Sequence, residues 1–379
     1  MWSKMIWVEL SNIEVWGPQP SGIPRVAINL ISQFLNIKSN RFGFFKYNIR
    51  INDYVVVDNP QELLQSAREQ AFNWKVLVSG TEVLVTDVVE ATDTVLFLGA
   101  TWEYRNSLVF VKQLKQKKVQ VGQVICDVIP MLLPQYCQAG VTEHFRSFFN
   151  EIVPLIDRFF AISESTRNDL KRLFPAVDAD TISVIRLGDR LPTQGPSGDV
   201  ELPAKFVLCC GTIEARKNHE LLYRAWKILK KSWGGSLPAL VLVGRTGWHT
   251  EALIEQIRTD SEIKNKILIL SGVTDQTLPQ IFMKSMFTVY PSFYEGWGLP
   301  IAESMVFGKF CICSNTSSMP EVAPGLTGLF DPSNVHAFVS QVDYYFRRPD
   351  ALKEKERAIE QNYQLTDWSA TASQILAKI

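Results

Sequence analysis

KFVLCCGTIEARKNHELLYRAW, residues 205–226, is the stretch from which the fold can be read. Its opening segment, Lys205–Cys210, is a short apolar run closed by Gly211, the pattern of a buried strand. A polar loop follows. From His219 onward, Leu221, Leu222, Ala225, Trp226 and Leu229 recur on one helical face. Strand, loop and amphipathic helix in that order are the repeating piece of a parallel sheet with crossover helices. The alternation continues on both sides. Downstream strands are expected at Ala239–Val243, Lys266–Leu270, Met286–Tyr290 and Phe310–Cys313. Upstream strands are expected at Met5–Leu10, Phe42–Ile49, Thr94–Leu98, Val119–Cys126 and Asp157–Ile162. A helix pattern covers about Ile23–Leu35, and another starts after the N-cap candidate Ser163. Between the halves, Leu187–Leu202 holds Gly188, Pro192, Gly195, Pro196 and Gly198 without periodicity and reads as a linker. The expected organisation is an α/β domain over 1–190, a linker over 191–203, a second α/β domain over 204–362, and a last helix over 363–379.

Composition agrees with two full-sized cores. The chain has 379 residues, 46% of them hydrophobic, so disorder is not the default. Lys plus Arg (39) equals Asp plus Glu (39), which argues against nucleic acid as a partner. The four histidines are scattered and no C-x-x-C pair occurs, so no metal centre is expected. Cys209, Cys311 and Cys313 lie in apolar runs and read as small buried hydrophobes. The N-terminal segment lacks the apolar core of a signal peptide, and no run reaches the roughly 18 apolar residues of a membrane span. A cytoplasmic protein is the expectation, with room for a peripheral contact at the inner face of the membrane.

Two strand-to-helix loops carry candidate chemistry. In Gly211–Asn218, Arg216 and Lys217 stand just before a helix start, with Asn218 as its cap candidate. Two cations beside a positive dipole end suit an anion, commonly phosphate. The plain alternative is a pair of solvated loop charges. In Tyr290–Glu303, Pro300 suits the first helical turn, and Gly296 and Gly298 permit close backbone approach to a ligand. The N–H groups near Gly298 and Leu299 would form a second anion cradle. Glu295 opens this loop, and Glu303 is expected in the first turn of the helix. Each carboxylate can accept two hydroxyls of a polyol. The alternatives are an exposed loop charge and simple helix-dipole compensation. Neither a dinucleotide fingerprint nor a P-loop is present.

The runs GTIEARKNHELLYRAW, LVLVGRTGW and PSFYEGWGLPIAESMVFGK together resemble family 4 glycosyltransferases, with Glu295 and Glu303 matching that family's E-x7-E motif. SGIPRVAINL, VICDVIPMLLPQY and FAISESTRNDL extend the resemblance into the first half. Within the family, the runs are most similar to bacterial mannosyltransferases of polysaccharide and O-antigen synthesis. The resemblance implies a GT-B fold: two Rossmann-like domains facing each other across a central cleft, the final helix returning to the first. It implies retaining transfer from a nucleotide-diphosphate sugar, GDP-mannose or similar, to a saccharide or lipid-linked saccharide, without a metal cofactor. Residue by residue, Arg216 and Lys217 would neutralise the diphosphate and Glu303 would hold the ribose. Glu295 would contact the transferred sugar. Gly296, Trp297, Gly298 and Leu299 would meet phosphate and sugar through their backbone, and Val273 would border the base.

In the first half, Gly22 would bring backbone near the donor, and Arg25 is a further candidate cation. Relatives usually have His-Asp-x-x-Pro where this chain has Cys126-Asp127-Val128-Ile129-Pro130. Asp127 would orient an acceptor hydroxyl or the donor sugar, or would simply bond local backbone in a turn. The run Lys112–Lys118 holds four lysines and reads as a solvated helix end or as a patch for anionic headgroups. Two other classes compete with transfer: a nucleotide-sugar epimerase of the same architecture, and a non-catalytic scaffold.

Overall fold

The computed structural model describes residues 4–11, 22–37, 41–68, 83–190, 198, 200–247 and 249–379. The described chain divides into two units. The first comprises Met1–Pro134, Ala139–Gly188 and Thr366–Ile379, and the second Gln135–Gln138 and Asp189–Leu365.

Among the described residues, the first unit holds seven strands: β1 Ile6–Glu9, β2 Phe42–Asn48, β3 Asp53–Val56, β4 Thr94–Phe97, β5 Gln120–Ile125, β6 Arg158–Ala161 and β7 Ile182–Val184. Their order is β3-β2-β1-β4-β5-β6-β7. All pairs are parallel except β2 with β3, where Phe45 faces Val56. The expected strands are present, each trimmed by a residue or two. β3 and β7 were not foreseen. Both are short, and the neighbours that select them as strands are distant in sequence. The core is aromatic: Tyr54 stacks on Phe110 at 4.3 Å between ring centres, and Phe45 meets Phe97 edge-on at 5.8 Å. Such offset and edge contacts add to the area buried.

Among the described residues, the second unit holds six strands: β8 Phe206–Cys210, β9 Ala239–Val243, β10 Ile267–Leu270, β11 Thr288–Tyr290, β12 Cys311–Ser314 and β13 Gly328–Phe330. The order is β10-β9-β8-β11-β12-β13, every pair parallel. Counted within the unit this is 3-2-1-4-5-6, the doubly wound order. The three-residue β13 also escaped the pattern. The helix His219–Trp233 buries Leu221, Leu222, Ala225, Trp226 and Leu229, the face its periodicity marked. Trp226 is fully buried, and its Nε1 donates to the Pro238 carbonyl at 3.0 Å.

Two sequence expectations change. Leu187 and Asp189 are buried, and Gly188 lies so close to the Trp368 ring that a Cβ would approach it to 2.5 Å. The aperiodic stretch therefore begins as packed structure, while residues 191–197 and 199 of the expected linker lie outside the described residues. The last helix starts at Trp368, with Asp367 accepting from the Ser369 N–H, and packs on the helix Ile23–Asn36. Residues 349–362 form a separate helix before it. The lysine run is an exposed helix end, one of the two readings it was given, with Lys112 near Glu151 at 3.2 Å, Lys115 bonded to Asp157 at 2.5 Å and Lys117 to the Thr86 carbonyl. Among the described residues no helix is long and apolar enough to cross a membrane.

Candidate functional site

In the second unit the strand order reverses at β8 and β11, the neighbours from which the sheet grows in opposite directions. In open α/β sheets ligands bind outside the carboxyl ends of the strands at such a reversal. Arg216 and Lys217 sit on the loop after β8, and Glu295 on the loop after β11.

The first loop is held by its neighbour. Gly211 N–H donates to the Val243 carbonyl and Ile213 N–H to that of Arg245. The loops approach so closely that a Cβ on Gly244 would lie 2.0 Å from the Gly211 oxygen. A tight turn, Ala215–Lys217, then presents both cations. Asn218 does not cap the helix as expected. It adopts left-handed backbone (φ 57°) and makes no side-chain capping bond. Its amide instead donates to the carbonyls of Pro291 at 3.2 Å and Pro332 at 3.0 Å, tying three loops together.

The second loop is clamped from the segment after β12. Thr316 Oγ1 donates to the Phe293 carbonyl, and Ser317 Oγ accepts from the Glu295 N–H. Ser318 Oγ donates to the carbonyls of Glu295 and Trp297 at 2.9 and 2.7 Å. Gly298, at φ 122°, opens the helix Leu299–Val306 from a conformation that disfavours any side chain. Glu303 lies in the second turn of that helix rather than the first, and is 2% exposed.

The two loops meet through charge. Arg216 reaches Glu295 Oε2 at 2.9 Å and also bonds the Glu214 carboxylate and the Tyr294 carbonyl. Lys217 Nζ donates to Glu295 Oε1 at 3.0 Å and to Tyr290 Oη at 2.7 Å, and Tyr290 Oη donates to Glu295 Oε1 at 2.9 Å. The side chains of Arg216, Lys217 and Glu295 are 15%, 13% and 10% exposed, so neither the cations nor the carboxylate is a solvated loop charge. Burial alone would raise the Glu295 carboxyl, but Arg216 and Lys217 overcome it and hold the group down at about 2. Burial, with help from Lys217, pushes the nearby His219 down to about 4, so it is neutral. Burial pushes the Cys209 thiol up to about 12. Counting Glu214, two cations face two carboxylates. What this corner offers an anion is therefore oriented N–H donors in a low-dielectric setting more than net charge.

The remaining expected residues are placed as follows. Gly296, Trp297, Gly298 and Leu299 continue the Glu295 loop into its helix. Val273 follows β10 and packs on the apolar cluster of Phe206, Leu208 and Val241. Gly22 precedes the helix Ile23–Asn36 at φ 60°, and Asp127 follows β5; both belong to the first unit. Asp127 Oδ1 accepts from the Ile129 N–H at 3.0 Å, the local turn bond that was the plain alternative. Cys126 is buried, and burial with the adjacent Asp127 pushes its thiol well up, so it is no nucleophile at neutral pH. Among the described residues no group of three or more His, Cys, Asp and Glu could hold a metal ion.

Sequence reading missed Tyr290, the Thr316–Ser318 hydroxyls and Glu103, and gave Asn218 a capping role in place of the loop-tying one it has. The run Asn315-Thr316-Ser317-Ser318 after a strand was a usable signal for the hydroxyls. Nothing local marked Glu103, which lies on the loop after β4, where the first sheet reverses its order. Burial raises its carboxyl to about 7.

Comparison with known proteins bears on the family and the fold. Residues 197–365 match the family profile described as glycosyl transferases group 1. The chain is 29% identical over 225 residues to O-antigen chain mannosyltransferase B of Escherichia coli, covering 57% of this chain and 58% of that protein. It is 24% identical to O-antigen chain mannosyltransferase RfbU of Salmonella typhimurium, over 60% of this chain and 61% of the relative. The chain thus spans less than two thirds of these relatives' length. Among solved structures, Anabaena HepE in complex with UDP-glucose superposes with a TM-score of 0.67 at 13% identity, covering 99% of this chain and 100% of that one. Sucrose-phosphate synthase from Thermosynechococcus elongatus gives 0.67 at 16%, covering 99% and 98%. At such identities the likeness is one of fold, and the fold is GT-B, with two Rossmann-like domains. The part of the chain that is similar to glycosyl transferases group 1, residues 197–365, holds Arg216, Lys217, Glu295 and Glu303.

Proposed function

We propose that this protein is a retaining glycosyltransferase that moves mannose or a related hexose from a GDP-linked donor to a growing glycan or lipid-linked oligosaccharide. The observation that carries the reading is the buried meeting of Arg216, Lys217 and Glu295 at the strand-order reversal of a group 1 domain. The names of the curated relatives, O-antigen mannosyltransferases, support mannose and an O-antigen-type acceptor.

In this reading the donor diphosphate lies against Arg216, Lys217 and the N–H groups at the start of the helix Leu299–Val306. As the glycosyl–oxygen bond breaks, negative charge grows on the leaving diphosphate. Preorganised donors stabilise that charge without a metal, each contact being worth about 3 kcal/mol in the barrier. Glu303 holds the ribose hydroxyls, Val273 borders the base and Glu295 meets the sugar. Retention follows from front-face attack, with the leaving phosphate accepting the acceptor's proton. The protein works in the cytoplasm, with a peripheral contact at the inner membrane face where its acceptor is lipid-linked.

The test is a thermal-shift screen against GDP-mannose, GDP, UDP-glucose and UDP, since a ligand that binds only the native state raises its melting temperature. GDP-mannose is expected to give the largest rise. A larger rise with UDP-glucose would replace the donor, and no rise with any nucleotide would overturn the reading. Anomeric configuration of the product, read by NMR, tests retention.

A further inference from the structure

We propose that Tyr290, at the end of β11, is a positioning residue whose hydroxyl locks the Lys217 ammonium in the direction that meets the donor's distal phosphate. The proposal rests on the reading that Lys217 binds the diphosphate.

An ammonium on a four-carbon stem has three donors and turns freely about its last bond. Here two of the three donors are committed, to Tyr290 Oη at 2.7 Å and to Glu295 Oε1 at 3.0 Å. Two fixed hydrogen bonds determine the rotor, and the third N–H then has one direction. Tyr290 is suited to this task. Its hydroxyl accepts from Lys217 and donates to Glu295 at 2.9 Å, which leaves the proton one place to be. The ring is 2% exposed and anchored in a strand paired on both sides, so the hydroxyl has a rigid support. The ammonium also lies 5.0 Å from the centre of the ring. Burial and Glu295 push the phenol well above its ordinary value, so it keeps its proton at any working pH. Because the local cations and carboxylates balance, the aim of each N–H decides how well the corner binds an anion.

Tyr290→Phe removes one oxygen and keeps the ring. Binding of GDP and GMP would be measured by titration calorimetry on wild type, Tyr290→Phe, Lys217→Ala and the double variant, with UDP and UMP as the alternative pair. Melting temperatures would be recorded alongside. The preference for diphosphate over monophosphate is expected to fall about tenfold in Tyr290→Phe, the loss of one well-aimed charge-assisted contact. Monophosphate affinity is expected to be unchanged. In the Lys217→Ala background the Tyr290 substitution should have no further effect on the preference, as a residue acting through its neighbour requires. A lowered melting temperature with an unchanged preference would reduce Tyr290 to a packing role. Additive effects in the double variant would also overturn the proposal. If Lys217→Ala itself keeps the wild-type preference, the diphosphate reading fails first, and that result is distinct from failure of Tyr290→Phe alone.

Discussion

Truncating Glu295 to alanine tests the candidate site through stability, before any substrate is known. The carboxylate is 10% exposed and is shared by Arg216 at 2.9 Å and Lys217 at 3.0 Å. Removing one partner of a buried pair leaves the other charge uncompensated, which costs about 3–5 kcal/mol. Arg216 would retain Glu214 and the Tyr294 carbonyl, so the low end applies to it. Lys217 would retain the Tyr290 hydroxyl alone among the contacts described. A carboxyl held at about 2 instead of 4.5 points to the same size, roughly 3 kcal/mol. For a unit of this size that is a fall in melting temperature of roughly 6–12 °C. Glu295 has a folded pKa below its unfolded value. Its contribution is therefore present above pH 4.5 and is lost as pH falls toward about 2. The gap between wild type and Glu295→Ala should be full at pH 7 and should shrink on acidification below 4.5. Urea unfolding across that range measures it. A loss below about 1 kcal/mol at pH 7 would show that the charges are solvated and the geometry misread. A nucleoside diphosphate should also stabilise Glu295→Ala more than wild type, because it supplies the missing negative charge.

Further outcomes are expected elsewhere. Glu303→Ala should abolish transfer while leaving the melting temperature within a few degrees of wild type; radiolabelled sugar incorporation measures the first, and full activity would remove Glu303 from the site. Glu103 has a folded pKa of about 7, above its ordinary 4.5, so the native state binds the extra proton between those values and stability falls as pH rises through that window. Glu103→Gln should flatten this slope in urea titrations from pH 5 to 8. Asn218→Gly keeps the left-handed backbone but deletes the bonds to Pro291 and Pro332, a loss of about 1–3 kcal/mol. Asn218→Ala should cost about 1 kcal/mol more, from a Cβ in that conformation; equal losses would dismiss the strain.

The legible part of the site was what one loop carries. Arg216 and Lys217 before a helix, and Glu295 to Glu303 after a strand, were marked by residue type and by the glycines and proline beside them. Tyr290 was hidden because a tyrosine ending an apolar strand looks like core, and most of its ring is. Asn218 looked like a cap because its type and place fit one, whereas its amide was drawn off by two carbonyls that only the fold delivers. Cys126 and Asp127 show the reverse. The motif position suggested chemistry, and burial with a turn bond gives each a sufficient local reason.

By itself the sequence determined the α/β class, the two-part division and most of the strands, because side-chain periodicity is a local property that burial reads directly. Tertiary structure decided which strands are neighbours. β8 and β11 are separated in the chain by two strands and their crossovers, yet they adjoin in the sheet, and this brings Lys217 within hydrogen-bonding distance of Tyr290 and Glu295. Strand order is set by the packing of helices on both faces of a twisted sheet, a sum over distant contacts that no single segment encodes. The balance of 39 cations and 39 anions was plain from composition, but the burial of two of each at one corner was a product of that order.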